Sequence, residues 1–381
     1  MIIKKKLGFV VIITLIASMV LTACGSKDTT KTEEAGEVTI AVVAPYSGDY
    51  AQYGDAFKKA TELKAKEINS AGGIAGKELK LIFMDDKNDA KEATIIAQRL
   101  VDDKKVAAVI GNFSSTAALA SAPIYQSGGL VQFSPTSSHP DFTAQGTYMF
   151  RNINTQAIEG PIVADMVVNK MEKKRIAIIY QNNDWGITAK DNFTLKAIEF
   201  GAEIVAEETF IGGQTKDFTP TLTKISATNP DVLVLVAFYA EAGMIAQQMK
   251  QLDLSYSLAG LSSLYNQELI KLAGDSVNGL YLTTNFFPED ESDKVRKFVE
   301  DFKASYDSDP NQFAAVAYDT LGMLAYVIEK TGLNREAIRD ELAKVTDYDG
   351  VTGKISFNEK RDVIKSMKVL QIQQGSFKQV K

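Results

Sequence analysis

The chain has 381 residues, 45% hydrophobic and 24% charged, with 48 acidic against 42 basic side chains, one cysteine and one histidine. A chain this long exceeds what one hydrophobic core usually organises and predicts two domains. Its acidic balance argues against a phosphate backbone as partner, a lone cysteine forbids an intramolecular disulfide, and the spaced Cys and His ligands of a zinc site are absent. No cofactor is expected.

The chain opens on Lys4, Lys5 and Lys6, followed by an apolar run from Leu7 to Leu21. That run is about 15 residues, short for a hydrocarbon core of ~30 Å, and reads as a secretory signal over residues 1–23. Small residues then precede Cys24, and residues 24–36 lack apolar periodicity, which predicts a flexible tether. The arrangement resembles the lipobox of bacterial lipoproteins, in which the cysteine is lipidated and becomes the new N-terminus. The resemblance implies a membrane-anchored protein on the outer face of the cytoplasmic membrane. Losing the first 23 residues, with three lysines and no acid, would move the formal charge from −6 to −9. No later apolar run approaches ~18 residues, so no further membrane span is expected.

The body alternates β-branched runs with amphipathic stretches. Val38–Ala44 predicts a strand. A helix is expected over Ala51–Ser70, where Ala56, Ala60, Leu63 and Ile68 recur near the helical period. Strand Leu79–Met84, a helix around Ala90–Val101, strand Val106–Ile110, a helix from Ser115 and strand Leu130–Ser134 follow. Strands separated by helices require parallel, right-handed crossovers, hence a doubly wound α/β sheet. The pattern restarts after Arg151 with expected strands at Arg175–Tyr180, Ile204–Ala206, Val232–Val236, Ser257–Gly260 and Gly279–Thr284. Helices near Asp293–Tyr306, Phe313–Lys330 and Arg335–Lys344 come next. The expected end is a hairpin of Lys354–Phe357 with Met367–Ile372. The fold class is therefore α/β, two doubly wound parallel-sheet lobes joined by a multi-strand hinge. Lobe I is expected over 37–156 plus 286–354, lobe II over 157–285 plus 355–381, with hinge crossings near Ile153, Phe286 and Gly353. Ligands of open α/β sheets bind beyond the carboxyl ends of the strands, here between the lobes.

Ala51-Gln52-Tyr53-Gly54, the stretch from Glu67 through Gly72-Gly73-Ile74-Ala75-Gly76 to Leu79, and Asp85-Asp86 resemble the opening signature of the leucine/isoleucine/valine-binding proteins. The resemblance continues through Gly111-Asn112-Phe113-Ser114-Ser115, Phe133-Ser134-Pro135, Trp185-Gly186, Phe238-Tyr239-Ala240-Glu241 and Ala317-Tyr318-Asp319. It implies a type 1 periplasmic binding protein clamp, a monomer that serves an ABC permease, and a ligand α-carboxylate held by Ser115 with Thr136 and Ser138. A helix N-terminus carries unsatisfied N–H groups and partial positive charge, so Ser115 at such a start suits an anion on physical grounds. The plainer role of Ser114 or Ser115 is a helix cap, and of Thr136, Ser137 and Ser138 a polar turn.

The same resemblance assigns pocket walls to Tyr53, Phe113 and Phe313 of the first lobe and Trp185 and Tyr239 of the second. Phe113 and Phe313 equally suit ordinary core. Trp185 sits in a polar segment entering a helix, where an aromatic can cover an apolar side chain or an ammonium group. One position departs from the family. Ser262 stands where branched-chain amino acid binders place a glutamate for the ligand's ammonium group. A hydroxyl cannot balance a buried cation. Either Asp184, Glu241 or Asp319 replaces it, or the ligand is a small carboxylate or amide.

Catalysis lacks a foundation. His139 is alone in a Ser/Thr-rich turn, no nucleophile elbow surrounds a serine, and no Gly-rich phosphate loop follows the first strand. A ligand-presenting sensor with the same clamp differs from a transporter component only in its partner.

Overall fold

A computed structural model describes residues 36–290 and 292–380. The expected signal, Cys24 and the tether as far as residue 35 lie outside the described residues. In chain order the strands of the first sheet are β1 (Glu37–Ala44), β2 (Glu78–Asp85), β3 (Val106–Ile110), β4 (Val131–Ser134) and β5 (Met149–Arg151), connected by α1 (Ala51–Ser70), α2 (Ala90–Asp102) and α3 (Ser115–Ser127). Their spatial order is β2-β1-β3-β4-β5, all parallel. β1 is buried from Val38 to Ala44 and β3 throughout, as continuous apolar runs in a sheet covered on both faces require.

The second sheet collects β6 (Arg175–Gln181), β7 (Glu203–Phe210), β8 (Val232–Val236), β9 (Ser257–Gly260) and β10 (Tyr281–Thr284). They run parallel in the order β10-β9-β8-β6-β7. Between them lie α5 (Asp184–Glu199), α6 (Thr219–Ser226), α7 (Tyr239–Gln251) and α8 (Gln267–Ala273), with α4 (Gln156–Asp165) leading in from β5. The chain then returns through α9 (Asp293–Tyr306), α10 (Gln312–Thr331) and α11 (Arg335–Leu342) to the first lobe. There α10 packs along α1 and α11 approaches β4.

The C-terminal expectation changes in two ways. β11 (Tyr348–Gly350) and β12 (Gly353–Ile355) pair with each other, and the terminal hairpin is β13 (Lys368–Gln373) with β14 (Ser376–Gln379) on the edge beyond β10. Gln374 and Gly375, both at positive φ, make the two-residue turn whose twist suits a hairpin. Gly353 thus belongs to a local hairpin, not to a crossing. Residues 356–367 lie against the first sheet although the sequence assigns residues from 355 onward to the second lobe: Phe357 packs on Phe133 and Phe150, and Arg361 donates to the Met149 carbonyl.

Three crossings join the lobes, after β5, after β10 and before β13. Their side chains tie them together. Asn154 Nδ2 donates to the Lys365 carbonyl and its Oδ1 accepts the Lys365 N–H, both at 2.8 Å, while Asn285 Nδ2 donates to the Ser366 carbonyl at 3.2 Å. Asp319 on α10 accepts N–H groups of Val351 and Thr352 and the Thr352 hydroxyl.

Candidate ligand-binding site

Helices α3, α4, α5, α7 and α10 all begin at one cavity between the lobes, which is lined by Ser114, Ser115, Gln156, Glu159, Trp185, Phe238, Gln312 and Phe313, among others. Helix starts leave backbone N–H groups unsatisfied by the helix itself. The loop after each strand therefore decides what these starts can bind.

On the first lobe, Ser114 is the cap of α3, accepting the Ala117 N–H at 3.3 Å. Ser115 is free of that duty. Its Oγ accepts the His139 N–H at 3.2 Å, with Ser137 Oγ at 3.5 Å. Thr136 donates its hydroxyl to the Phe113 carbonyl at 2.6 Å, whereas Ser138 Oγ accepts from Gln156 Nε2 at 2.7 Å. Among the described residues, neither the Ser115 nor the Ser138 hydroxyl donates to a protein acceptor. Two hydroxyl protons are thus available beside the α3 N-terminus, while Thr136 lines the cavity with its own proton committed.

The loop carrying Ser138 is held from behind by Arg151, fully buried at the end of β5. Its guanidinium donates to the carbonyls of Ser137, His139 and Pro140, and its Nε lies 2.6 Å from Asp362 Oδ1. A planar fork with five donors suits such simultaneous bonding. His139 serves the same turn, its Nδ1 accepting the Asp141 N–H at 3.2 Å, and burial holds its pKa below the ordinary value.

The second lobe supplies Glu159 from the first turn of α4. Its Oε1 accepts the Ser262 N–H at 2.8 Å and the Thr283 hydroxyl at 3.0 Å. Burial pushes its carboxyl above the usual range, opposed by these hydrogen bonds. Ser262 lines the cavity and links two elements, its carbonyl accepting Gln312 Nε2 at 2.7 Å. Gln156, one turn before Glu159, buries an Oε1 with no hydrogen-bond partner.

Aromatic groups close the rest. Trp185 lies in the first turn of α5, which Asn183 caps through the Gly186 N–H at 2.8 Å, and stacks on Phe238 at 4.8 Å. Phe113 and Phe313 line the cavity and also join the core. Tyr53 and Tyr239 lie behind this lining and latch the lobes. The Tyr53 hydroxyl donates to the Ser263 carbonyl at 3.0 Å and accepts the Tyr239 N–H at 3.1 Å, while the Tyr239 hydroxyl donates to the Asp49 carbonyl at 3.3 Å. Tyr53 stacks on Phe113 at 4.5 Å. The next residue, Gly54, must lack a side chain, because a Cβ there would meet the Pro45 carbonyl oxygen at 2.0 Å. Tyr50 to Glu241 and Lys216 to Asp49 add polar links across the same seam.

None of the three acids proposed to replace the missing glutamate lines the cavity. Asp319 holds the β11–β12 turn, Glu241 accepts the Gly213 N–H and the Tyr50 hydroxyl, and Asp184 is exposed. Gln156, Glu159, Ser263 and Gln312 also line it, together with Phe238 of the family signature and Ile153 of the first crossing, none of them expected there from the sequence. An i, i+3 pair of polar residues entering a helix directly after a lobe crossing was the available signal for Gln156 and Glu159.

The periplasmic binding protein family model matches residues 37–376. An amino acid binding protein of Pseudomonas aeruginosa is 29% identical over 335 residues, covering 87% of this chain and 89% of that protein. The leucine-, isoleucine-, valine-, threonine- and alanine-binding protein of the same organism is 26% identical, with 86% and 88% covered. The crystal structure of the branched-chain amino acid transporter substrate binding protein LivJ from Streptococcus pneumoniae, in complex with isoleucine, superposes with a TM-score of 0.85 at 29% identity, covering 90% of this chain and 97% of that one. That family is one of binders, not catalysts, and two α/β lobes meeting at a cavity of helix starts are what such binding requires. The chain belongs to the periplasmic binding protein family.

Proposed function

We propose that the chain is an extracytoplasmic solute-binding lipoprotein of an ABC importer. It captures an α-amino acid, branched-chain or related, between two closing lobes and hands it to a membrane permease. The observation that carries this reading is the pair of undonated hydroxyls, Ser115 and Ser138, beside the α3 N-terminus. Such a group of donors stabilises a carboxylate without a nearby cation. Amino acid ligands of the similar proteins support the same class.

Ser115 and Ser138 belong to the first lobe, and Trp185, Phe238 and Glu159 to the second. A ligand touching both sets favours the closed arrangement by its differential affinity for it. The crossings tied by Asn154 and Asn285 are the flexing elements. Lipidation at Cys24 would hold a monomeric binder at the outer face of the cytoplasmic membrane, and the tether would raise its effective concentration near the permease. Acyl labelling that persists in Cys24→Ala would rule out this anchor.

Thermal unfolding of the protein freed of residues 1–25 against amino acids, amides and small carboxylates tests the ligand class. A ligand at ~100 times its Kd adds about 2.7 kcal/mol to the folded state. Stabilisation by α-amino acids supports the reading. Stabilisation only by compounds without an amine would favour the small-carboxylate or amide alternative suggested by Ser262.

A further inference from the structure

We infer that the ligand's ammonium group is taken by Glu159 and Gln156, two residues of α4, in place of the acid missing at Ser262. This rests on the preceding reading that the ligand's carboxylate lies at the α3 N-terminus.

The two side chains stand one helical turn apart, so they share a face of α4, and both line the cavity. Both are almost fully buried, at 1% exposure for Gln156 and 3% for Glu159. Gln156 spends its amide nitrogen on Ser138 Oγ and leaves its Oε1 without a donor. Glu159 takes the Ser262 N–H and the Thr283 hydroxyl, both on Oε1, and Oε2 accepts no hydrogen bond from the described residues. Among the described residues no lysine or arginine lines the cavity. A buried carboxylate beside an unsatisfied buried amide oxygen is costly unless a donor reaches both. A primary ammonium, with three donors and a full charge, meets that need, whereas a deaminated acid leaves it unmet.

The position also fits the anion site. Ser138 joins the two halves, since its Oγ takes the Gln156 amide while its proton remains for the ligand carboxylate. The α4 start is fixed to the same residue by the Gln156 N–H donating to the Ser138 carbonyl at 2.9 Å. An α-amino acid, whose two charged groups sit on one carbon, suits donors and acceptors placed on either side of this link. The charge-bearing acid therefore comes from the helix after the first lobe crossing, and the loop after β9 supports it through Ser262.

The test is calorimetric titration of the wild type, Glu159→Gln and Gln156→Met with L-alanine, L-valine, L-isoleucine and L-leucine. Each is paired with its deaminated acid: propanoate, 3-methylbutanoate, 3-methylpentanoate and 4-methylpentanoate. The wild type should prefer the amino acid, and Glu159→Gln should weaken that binding by roughly 100-fold, as expected for an unpaired buried charge. Gln156→Met should weaken it by about tenfold, and Glu159→Gln should not weaken binding of the deaminated acid, because the carboxylate it removes only repels an anion. Amino acid binding that survives Glu159→Gln within about threefold overturns this inference alone. Wild-type binding of deaminated acids only, or of neither series, overturns the amino acid reading as well. Should Glu159→Gln fail to fold, Glu159→Asp keeps the charge but withdraws it by one methylene. The same selective loss is then expected, and its absence would count against the inference.

Discussion

Glu159 Oε1 stands 2.8 Å from the backbone nitrogen of Ser262, so an acid from α4 is bonded to the loop that follows β9. The Ser262 carbonyl accepts Gln312 of α10 at 2.7 Å, which makes one residue a junction between an acid of the second lobe and a helix of the first. A serine at that position can thus remain a structural element of the cleft while its hydroxyl carries no charge.

Arg151→Met should both destabilise the protein and weaken ligand binding. Removing one member of a buried ion pair costs about 3–5 kcal/mol, and here it also frees the carbonyls of Ser137, His139 and Pro140. Urea unfolding and calorimetry on the same sample check both effects. Normal affinity would show that the loop holds its shape without the arginine.

Ser138→Ala and Thr136→Val separate donation to the ligand from support of the loop. Ser138→Ala should lose about 1.5–3 kcal/mol of binding, the usual worth of a hydrogen bond to a charged group. Thr136→Val breaks the 2.6 Å bond to the Phe113 carbonyl and should act mainly on stability. The opposite order in titrations and melts would reverse the assignment of the two hydroxyls.

Trp185→Ala should leave a folded protein with at least about tenfold weaker binding, because the indole lines the cavity and stacks on Phe238. Unchanged affinity together with a lower Tm would make Trp185 purely a packing residue.

Asp86 gives a pH test. Burial first, then the charges of Asp85 and Asp89, push its carboxyl up to about 6 against hydrogen bonds from Asn112 and Asn88. The folded state therefore holds this proton more tightly than the unfolded chain does. Stability should fall as pH rises from the ordinary carboxylate range through about 6, by up to about 3 kcal/mol from this group. Asp86→Asn should remove that share of the slope in urea titrations at pH 4 to 7, and an unchanged slope would contradict it.

The strand–helix alternation was legible because β3 and β8 are unbroken apolar runs, β1 is apolar from Ile40 to Ala44, and α1 has a clear helical period. β5, three residues long, offers too short a pattern to read. The C-terminal pairing was misplaced because pairing of β12 and β13 is decided by tertiary neighbours, and the Gln374-Gly375 turn was the local cue. At the site, the serines and aromatics that follow strands were visible in the sequence. Glu159 was not, since an acid near the start of a helix ordinarily reads as favourable to the helix dipole. Its burial against Ser262 and Thr283 depends on residues more than a hundred positions away.

The most direct measurement is calorimetric titration of the protein freed of residues 1–25 with L-alanine, L-valine, L-isoleucine and L-leucine and with the methyl ester of each. Saturable binding of at least one free amino acid, lost in its ester, is the expected result, because the ester removes the anion that Ser115, Ser138 and the α3 N-terminus receive. Equal binding of ester and free acid, or no binding of any of them, would contradict capture of an α-amino acid by its carboxylate.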